Sequence, residues 1–286
     1  MHIHSISDAT VPDKNEDLVT LFTHSNSVVD LLMIDGASSV AEKNYIDAAN
    51  GDVIWFVSQF SENLRRIANP SIEQETSIQL ALTQLRKDFL CHAGSADMPG
   101  YAYPIAALSW LRMTESSNAI TLELYALGDC KTCACQQDGQ ILELDPYTNP
   151  QENLLRQAIS KLKSEGVPED KRREHLLPML RARREFQNFN APPDILCIDP
   201  RGPLHARTYR YQLGKPSTVL AMTDGFYRLA DTYHLYTPEE LLHSCATKGL
   251  PALLQQLREF EADYFSKNIM SVKKADDASA ALCVFA

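Results

Sequence analysis

The order of apolar and polar positions divides the chain into strands and helices. The clearest helix carries apolar residues at alternating steps of four and three, namely Val53, Val57, Phe60, Leu64 and Ile67. That spacing places them on one helix face. The same spacing predicts a second helix over residues 71–89, where Ser71 and Gln74 have the pattern of a capping box.

Continuous apolar runs that end at turn residues predict strands elsewhere. These runs are residues 27–34, 105–113, 119–127, 195–198, 207–213, 217–222 and 279–285. Further helices are predicted at residues 152–164, at 169–189, from Thr237 onward and at 252–265. Since neighbouring strands are often joined as hairpins, we expect an α+β fold with largely antiparallel sheets covered by helices. Without a linker or a tandem repeat, residues 1–286 are expected to form a single domain.

The charge balance narrows the class of partner. The 286 residues include 27 basic and 37 acidic side chains, for a net charge of −10. This balance argues against nucleic acid or an anionic membrane surface as the main partner. It suits a protein that gathers cations.

Neither a transmembrane segment nor a signal peptide is predicted. The most apolar stretch, residues 101–111, is too short to span a bilayer, and the polar N-terminus lacks a basic region followed by an apolar run. Seven cysteines in a chain of this length do not suggest a disulfide framework. A reducing cytoplasm is therefore the expected location.

Acidic residues recur at predicted strand ends. One apolar run leads into Asp35-Gly36 and another into Asp224-Gly225, and further acids lie at Glu16-Asp17, Asp129 and Asp276-Asp277. A single Asp-Gly pair is most simply a turn. Several together predict one site, because carboxylate oxygens are preferred ligands of Mg²⁺ and Mn²⁺. Two such ions about 3.5–4 Å apart are used to hydrolyse phosphate esters.

Five segments in order resemble the PP2C family of metal-dependent serine/threonine protein phosphatases. They are "KNED", "MIDGAS", "LGDCKTCA", "AMTDGF" and "KADDASAALCVF", and their spacing agrees from the N-terminus to the last residue. The resemblance implies two mostly antiparallel sheets sandwiched between helices. It also implies hydrolysis of phosphoserine or phosphothreonine by a binuclear Mn²⁺ or Mg²⁺ centre, whose bound hydroxide attacks phosphorus without a covalent intermediate.

The resemblance also assigns roles to individual residues. Asp35 would bridge two metals and the Gly36 carbonyl would bind one of them. Asp224 and Asp276 would bind the other metal, which makes Asp35 and Asp224 the residues on which catalysis depends. Glu16 and Asp17 would hold waters on the second metal. Asp129 matches a residue that helps to bind a third, weaker metal in some members.

The chain departs from the family pattern at positions that handle substrate. Pro12 stands where the family usually has an arginine that clamps the substrate phosphate. Lys14 is the candidate replacement, although it offers a point charge rather than a planar fork. Ser38-Ser39 replaces a glycine pair. Arg228 places positive charge near the expected third metal, so that metal is the least supported.

Three other groups invite a binding role. Cys130, Cys133 and Cys135 lack the second cysteine pair that structural zinc needs, so we predict that they bind no metal. His2 and His4 are expected to lie in a loose N-terminus. A basic cluster is either a docking surface for a phosphoprotein or, as we favour, a solvated helix face. Its members are Lys171, Arg172, Arg173, Arg181, Arg183 and Arg184.

The leading hypothesis is a cytoplasmic protein phosphatase whose partner is a phosphoprotein, a kinase or the target of a kinase. A pseudophosphatase that only binds partners is one alternative, which Pro12 favours. A phosphatase of a small phosphorylated metabolite is another. The complete carboxylate set favours an enzyme, because a scaffold gains nothing from clustered acids that repel one another.

Overall fold

Two antiparallel β-sheets form the centre of the computed structural model, which describes residues 1–93, 97–189, 192–264 and 275–286. The first sheet contains, in spatial order, His2–Asp8 (β1), Ala278–Phe285 (β11), Ser217–Met222 (β10), Lys131–Cys135 (β6) and Ile141–Glu143 (β7). The second contains Asp17–Thr23 (β2), Val28–Gly36 (β3), Ile105–Glu115 (β4), Ala119–Leu127 (β5) and Arg207–Gly214 (β9), with Leu196–Cys197 (β8) paired to β4. Every strand pair is antiparallel.

Helices cover the outer face of each sheet. Asp52–Ile67 (α1) and Gln74–Ala93 (α2) pack on the second sheet, while Asp224–Asp231 (α5), Pro238–Lys248 (α6) and Leu250–Tyr264 (α7) pack on the first. A further pair, Pro150–Ser164 (α3) and Glu169–Phe189 (α4), contributes little to these cores. The predicted α+β sandwich of two antiparallel sheets between helices is therefore confirmed. No helix in the described part of the chain is both long and apolar enough to cross a membrane.

The strand β3 shows why the sandwich holds together. Leu31 and Met33 point into the core between the two sheets, and Leu32 and Ile34 point into the core beneath α1 and α2. All four are fully buried. Alternate residues of a strand face opposite sides, so a strand buried on both sides must be continuously apolar.

The N-terminus is ordered, so the prediction of a loose segment is wrong. Residues His2–Asp8 form the edge strand β1 and pair with β11 from His2↔Val284 to Asp8↔Ala278. Ile3 and Ile6 pack against the neighbouring cores, whereas His2 and His4 are exposed. The hydrophobic pattern did not predict β1, because the outward-facing positions of this edge strand are polar.

Two predicted helix starts have different outcomes. Thr237 forms the expected capping box with Glu240 at the start of α6. At the other start, α2 begins at Gln74 rather than at Ser71. The side-chain amide of Gln74 donates to the backbone carbonyl of Trp110 at 3.0 Å and so attaches the helix to the sheet. The helix predicted to end at Phe265 runs to Tyr264, and Phe265 lies outside the described residues.

Candidate functional site

Strand pairing brings the first two groups of acids together. Asp17 on β2 lies directly opposite Asp35 on β3, and the Gly36 amide donates to the Glu16 carbonyl at 3.1 Å. A Cβ atom at Gly36 would lie only 2.5 Å from the Glu16 oxygen and 2.5 Å from a Val53 methyl. Gly36 is therefore required for this close approach, whereas the simple Asp-Gly turn considered for these residues is absent, because β3 runs through Gly36.

The second group is built at the start of α5. Thr223 caps strand β10 by donating its amide to the Ser279 carbonyl at 3.0 Å, and α5 then begins at Asp224. A Cβ atom at Gly225 would lie 1.9 Å from the Asp277 carbonyl, so only glycine lets α5 approach the Asp276-Asp277 segment. Asp224-Gly225 is thus a helix start rather than a turn.

A hydrogen bond joins these two groups across the sandwich. The Thr223 hydroxyl donates to Asp17 Oδ2 at 2.8 Å, in a fully buried contact. It links the end of the first sheet to the end of the second. The site therefore lies at one edge of the sandwich, where β3 and β10 both end.

Four of the predicted carboxylates line one cavity of about 760 Å³ at this edge. They are Asp35, Asp129, Asp224 and Asp276, and Gly36 lies beside them. They belong to segments far apart in the sequence. Asp17 lies behind the cavity, with 7% of its surface exposed.

The electrostatics agree with this convergence. Loss of solvent raises the pKa of Asp35 well above its ordinary value, and the neighbouring charges of Asp224, Asp17, Asp276 and Asp129 raise it further. Burial also raises the pKa of Asp17 to about 7, despite the hydrogen bond from Thr223. Ionised acids at this density destabilise one another unless a cation is bound.

Asp277 has a positioning role that the sequence analysis missed. Its carboxylate accepts hydrogen bonds from the Thr10 amide at 2.8 Å and from the Glu16 amide at 2.7 Å. The side chain of Glu16 in turn accepts a hydrogen bond from the Ser38 hydroxyl. Asp277 thus fixes the segment that carries Glu16, while its neighbour Asp276 faces the cavity.

The helix pair α3–α4 forms the opposite wall of the cavity, and the favoured prediction of a solvated basic face is wrong for part of α4. Arg184 is only 7% exposed and donates to the carbonyls of Ala37 at 3.3 Å and Ser38 at 3.1 Å. Arg173 and Arg181 donate to the next two carbonyls of the same loop. Burial lowers the pKa of Arg184 to about 10, opposed by the charge of Glu16.

Asn149 connects α3 to the acids. It is the N-cap of α3, where its side-chain oxygen accepts from the Gln151 amide at 3.0 Å. Its side-chain nitrogen donates to Asp129 Oδ2 at 2.7 Å. The Asn-Pro start of a helix is visible in the sequence, but its contact with Asp129 is tertiary.

Other predicted residues lie elsewhere. Lys14 donates to the Ala49 carbonyl and is not among the residues that line the cavity. Its phosphate-binding role stays a prediction.

Arg228 is turned toward Glu261, at 3.6 Å, and toward the Tyr233 ring, so its charge lies away from the cavity lining. The cysteines of β6 belong to the cores: Cys133 is buried beneath α5–α7, and burial raises its thiol pKa.

The donor set fits hard divalent cations. The cavity offers carboxylate oxygens and the neighbouring backbone, and the pKa of Asp35 is raised first by burial and then by the negative charge of the acids around it. In the described part of the chain, no three histidine, cysteine or acidic side chains are already arranged around one ion position. The chemistry of the donors suits Mg²⁺ or Mn²⁺ rather than zinc.

Comparison with solved structures identifies the fold. The chain matches PppA, described as a key regulatory component of T6SS in Pseudomonas aeruginosa, with 14% identity, 99% and 97% coverage of the two chains and a TM-score of 0.54. It matches the S. agalactiae serine/threonine phosphatase with 11% identity, 99% coverage of both and a TM-score of 0.55. It matches the catalytic domain of the serine/threonine phosphatase PstP, solved with two manganese ions, with 14% identity, 98% and 96% coverage and a TM-score of 0.51.

These similarities define the fold class of the chain as that of the serine/threonine phosphatases. No protein-family model and no curated protein sequence matches the chain. Since the identities are 14% or less, the structural matches show the fold alone. The fold that the PP2C resemblance implied is confirmed over nearly the full chain.

Proposed function

We propose that this protein is a metal-dependent phosphatase that hydrolyses phosphoserine or phosphothreonine in proteins. The observation that carries the proposal is the convergence of Asp35, Asp129, Asp224 and Asp276 on one cavity. A chain that only needed a stable fold would not place mutually repelling acids at one sheet edge. The fold shared with serine/threonine phosphatases agrees with this function.

Within the proposed binuclear centre, Asp35 and the Gly36 carbonyl would hold the first ion, and Asp35, Asp224 and Asp276 would hold the second. Glu16 and Asp17 would orient waters, and Asp129 would help to hold a third, weaker ion. When bound, the divalent ions acidify a water molecule and neutralise the phosphoryl oxygens. The chain itself holds the carboxylates in place, through the Thr223–Asp17 hydrogen bond and through the contacts of Asp277 with Thr10 and Glu16.

The proposed substrates are phosphoproteins of the cytoplasm, such as a kinase or its target. All seven cysteines are free, which agrees with a reducing compartment. A small phosphorylated metabolite is the second candidate, because a cavity of about 760 Å³ lies within the size range of small-molecule sites.

The first test is turnover of p-nitrophenyl phosphate and of a phosphopeptide panel after complete removal of metal by EDTA. We expect no turnover in the chelated protein and full recovery when Mn²⁺ or Mg²⁺ is returned. Preference for phosphopeptides over phosphorylated metabolites would support the protein substrate. Full activity in the chelated sample would contradict metal dependence. No activity under any condition would favour the alternative of a pseudophosphatase that only binds partners.

A further inference from the structure

The cavity contains both an anionic floor and a cationic wall. Its lining includes the four predicted carboxylates and four further acids, Glu143, Glu152, Asp194 and Asp231. It also includes five basic side chains: Lys131, Arg156, Arg173, Arg183 and Arg184. A phosphate ester bound over metal ions presents oxygens on its far side. A cation that lines the same cavity is available to receive them.

Four of the five cations are already engaged. Lys131 pairs with Glu143 at 3.2 Å and donates to the Tyr147 carbonyl, and Arg156 pairs with Glu152. The other two, Arg173 and Arg184, donate to backbone carbonyls of the loop at residues 37–39. These contacts tie each of them to the protein.

Arg183 differs from these four. Its Nε atom is buried and, among the described residues, has no hydrogen-bond partner. Its Nη2 atom reaches Asn149 Oδ1 only at 3.4 Å, and that oxygen already caps α3 through Gln151. A buried donor without a partner costs free energy, and a planar guanidinium is suited to bind two phosphate oxygens at once.

Acidic groups near Arg183 favour the charged form of its guanidinium. Burial lowers the pKa of its guanidinium, while Asp129, Tyr147 and Asp194 oppose that change. Asn149 contacts both Asp129 and Arg183, so this one side chain links Arg183 to one of the carboxylates. Neither Pro12 nor Lys14 lines the cavity.

We propose that Arg183 is the residue that clamps the substrate phosphate, from helix α4 and within the cavity that the carboxylates also line. This inference rests on the proposed function and adds a specificity residue to the same site. Its guanidinium donates two hydrogen bonds to non-bridging phosphate oxygens and leaves the ester oxygen facing solvent for the rest of the substrate. No bond is made or broken at Arg183, so it binds and orients but does not transfer a proton.

The test compares Arg183→Gln, Arg183→Lys and Arg172→Gln with the wild type. Arg172 is the matched control, because it lies on the same helix, donates to the Val167 carbonyl and does not line the cavity. Two measurements are made in Mg²⁺: titration calorimetry gives the affinity for orthophosphate, and steady-state kinetics give KM and kcat for p-nitrophenyl phosphate. Thermal unfolding of each variant verifies the fold.

We expect Arg183→Gln to weaken orthophosphate binding and to raise KM, each by roughly tenfold or more. The change in kcat should be smaller. Arg183→Lys should recover part of the affinity, because it restores the charge without the planar fork. Arg172→Gln should match the wild type in both measurements. A role that is only structural would lower the melting temperature of Arg183→Gln without changing the affinity for orthophosphate.

The outcomes separate this inference from the proposed function. Wild-type turnover with unchanged orthophosphate affinity and KM in Arg183→Gln would overturn the clamp and leave the phosphatase intact. Absence of wild-type turnover together with orthophosphate binding that depends on Arg183 would overturn the phosphatase and support the clamp. Absence of orthophosphate binding to the wild type would overturn the clamp.

Discussion

The two walls of the cavity are built by different physical means. The wall formed by the sheets rests on strands such as β3, where Leu31, Leu32, Met33 and Ile34 are completely buried. The helix wall, α3–α4, buries few side chains of its own, and Pro178 lies inside α4. It is held by hydrogen bonds from arginines to the backbone of the loop at residues 37–40, and by Asn188 and Phe189, which contact the segment at residues 100–103.

The difference shows how one cavity can combine a rigid floor, the wall formed by the sheets, with an adjustable cover, the helix wall α3–α4. Displacement of the carboxylates would require disruption of sheet register and of a close-packed core. Displacement of α3–α4 would break the arginine hydrogen bonds and the packing of Phe189 on Tyr103, but no sheet register and none of the three main cores. In such a situation local opening costs less than global unfolding. We therefore expect floor variants to abolish chemistry and cover variants to change affinity and stability by smaller amounts.

The largest expected effect comes from the floor. Asp35→Asn or Asp224→Asn should lower phosphatase turnover by about a thousandfold or more, since a lost metal ligand removes several kcal/mol of charge stabilisation. The metal-free variants should be no less stable than the metal-free wild type, because the substitution reduces repulsion among the acids. The shift in melting temperature on addition of Mn²⁺ should shrink.

Asp138→Asn is the matched control for these variants. Asp138-Gly139 is a true turn, in which the Gly139 amide donates to the Gln136 carbonyl and Gly139 has a φ of +83°. This variant should keep wild-type turnover and the wild-type response to Mn²⁺. If Asp35→Asn behaved like Asp138→Asn in both measurements, the carboxylate site would be refuted.

The contrast between the walls also explains what the sequence could predict. Asp35 and Asp224 follow continuous apolar runs that predict strands, so both acids could be located from their neighbours in the sequence alone. Their convergence on one site was expected from the recurrence of acids at strand ends, but the role of each acid came only from the resemblance. Arg184 gave no such indication, since its carbonyl partners lie 146 or more positions away in the chain. Arg184 is buried, although it belongs to a run of basic residues on α4 that is typical of an exposed helix face.

The next prediction concerns Arg184 on the helix wall. Arg184→Gln should lower the free energy of unfolding by about 1.5–3 kcal/mol, the usual contribution of charged hydrogen bonds. The loop that it holds contains Ser38, whose hydroxyl donates to Glu16. The apparent affinity for Mn²⁺ should therefore fall about tenfold, as is typical when a residue that supports a metal ligand is lost. Denaturant unfolding and Mn²⁺ titration of activity measure the two effects.

Arg184→Lys tests whether geometry or charge is responsible. Lysine keeps the positive charge near Glu16 but lacks the rigid planar group that places Arg184 Nη2 between two carbonyls. An intermediate loss of stability would agree with the hydrogen-bond account. If Arg184→Gln unfolded at the wild-type denaturant concentration, the polar tethers would contribute nothing, and the comparison between the two walls would fail.

The smallest effect is expected at Asn149, where a helix cap and a site contact share one side chain. Asn149→Ala should cost about 1 kcal/mol of stability, the usual value of an N-cap. Thr237→Ala removes the equivalent cap of α6, which also precedes a proline, and should cost a similar amount. Only Asn149→Ala should also reduce activity, because only Asn149 contacts Asp129. Urea unfolding and steady-state kinetics on both variants provide the measurements.

Asn149→Ser separates the two roles of this residue. Serine is as good an N-cap as asparagine, so the stability of this variant should stay within a few tenths of a kcal/mol of the wild type. Its shorter side chain lacks the amide that donates to Asp129, so KM should rise as it does in Asn149→Ala. Wild-type kinetics in Asn149→Ser would mean that Asn149 serves the helix alone, and that the cover reaches the floor through the arginines and not through this cap.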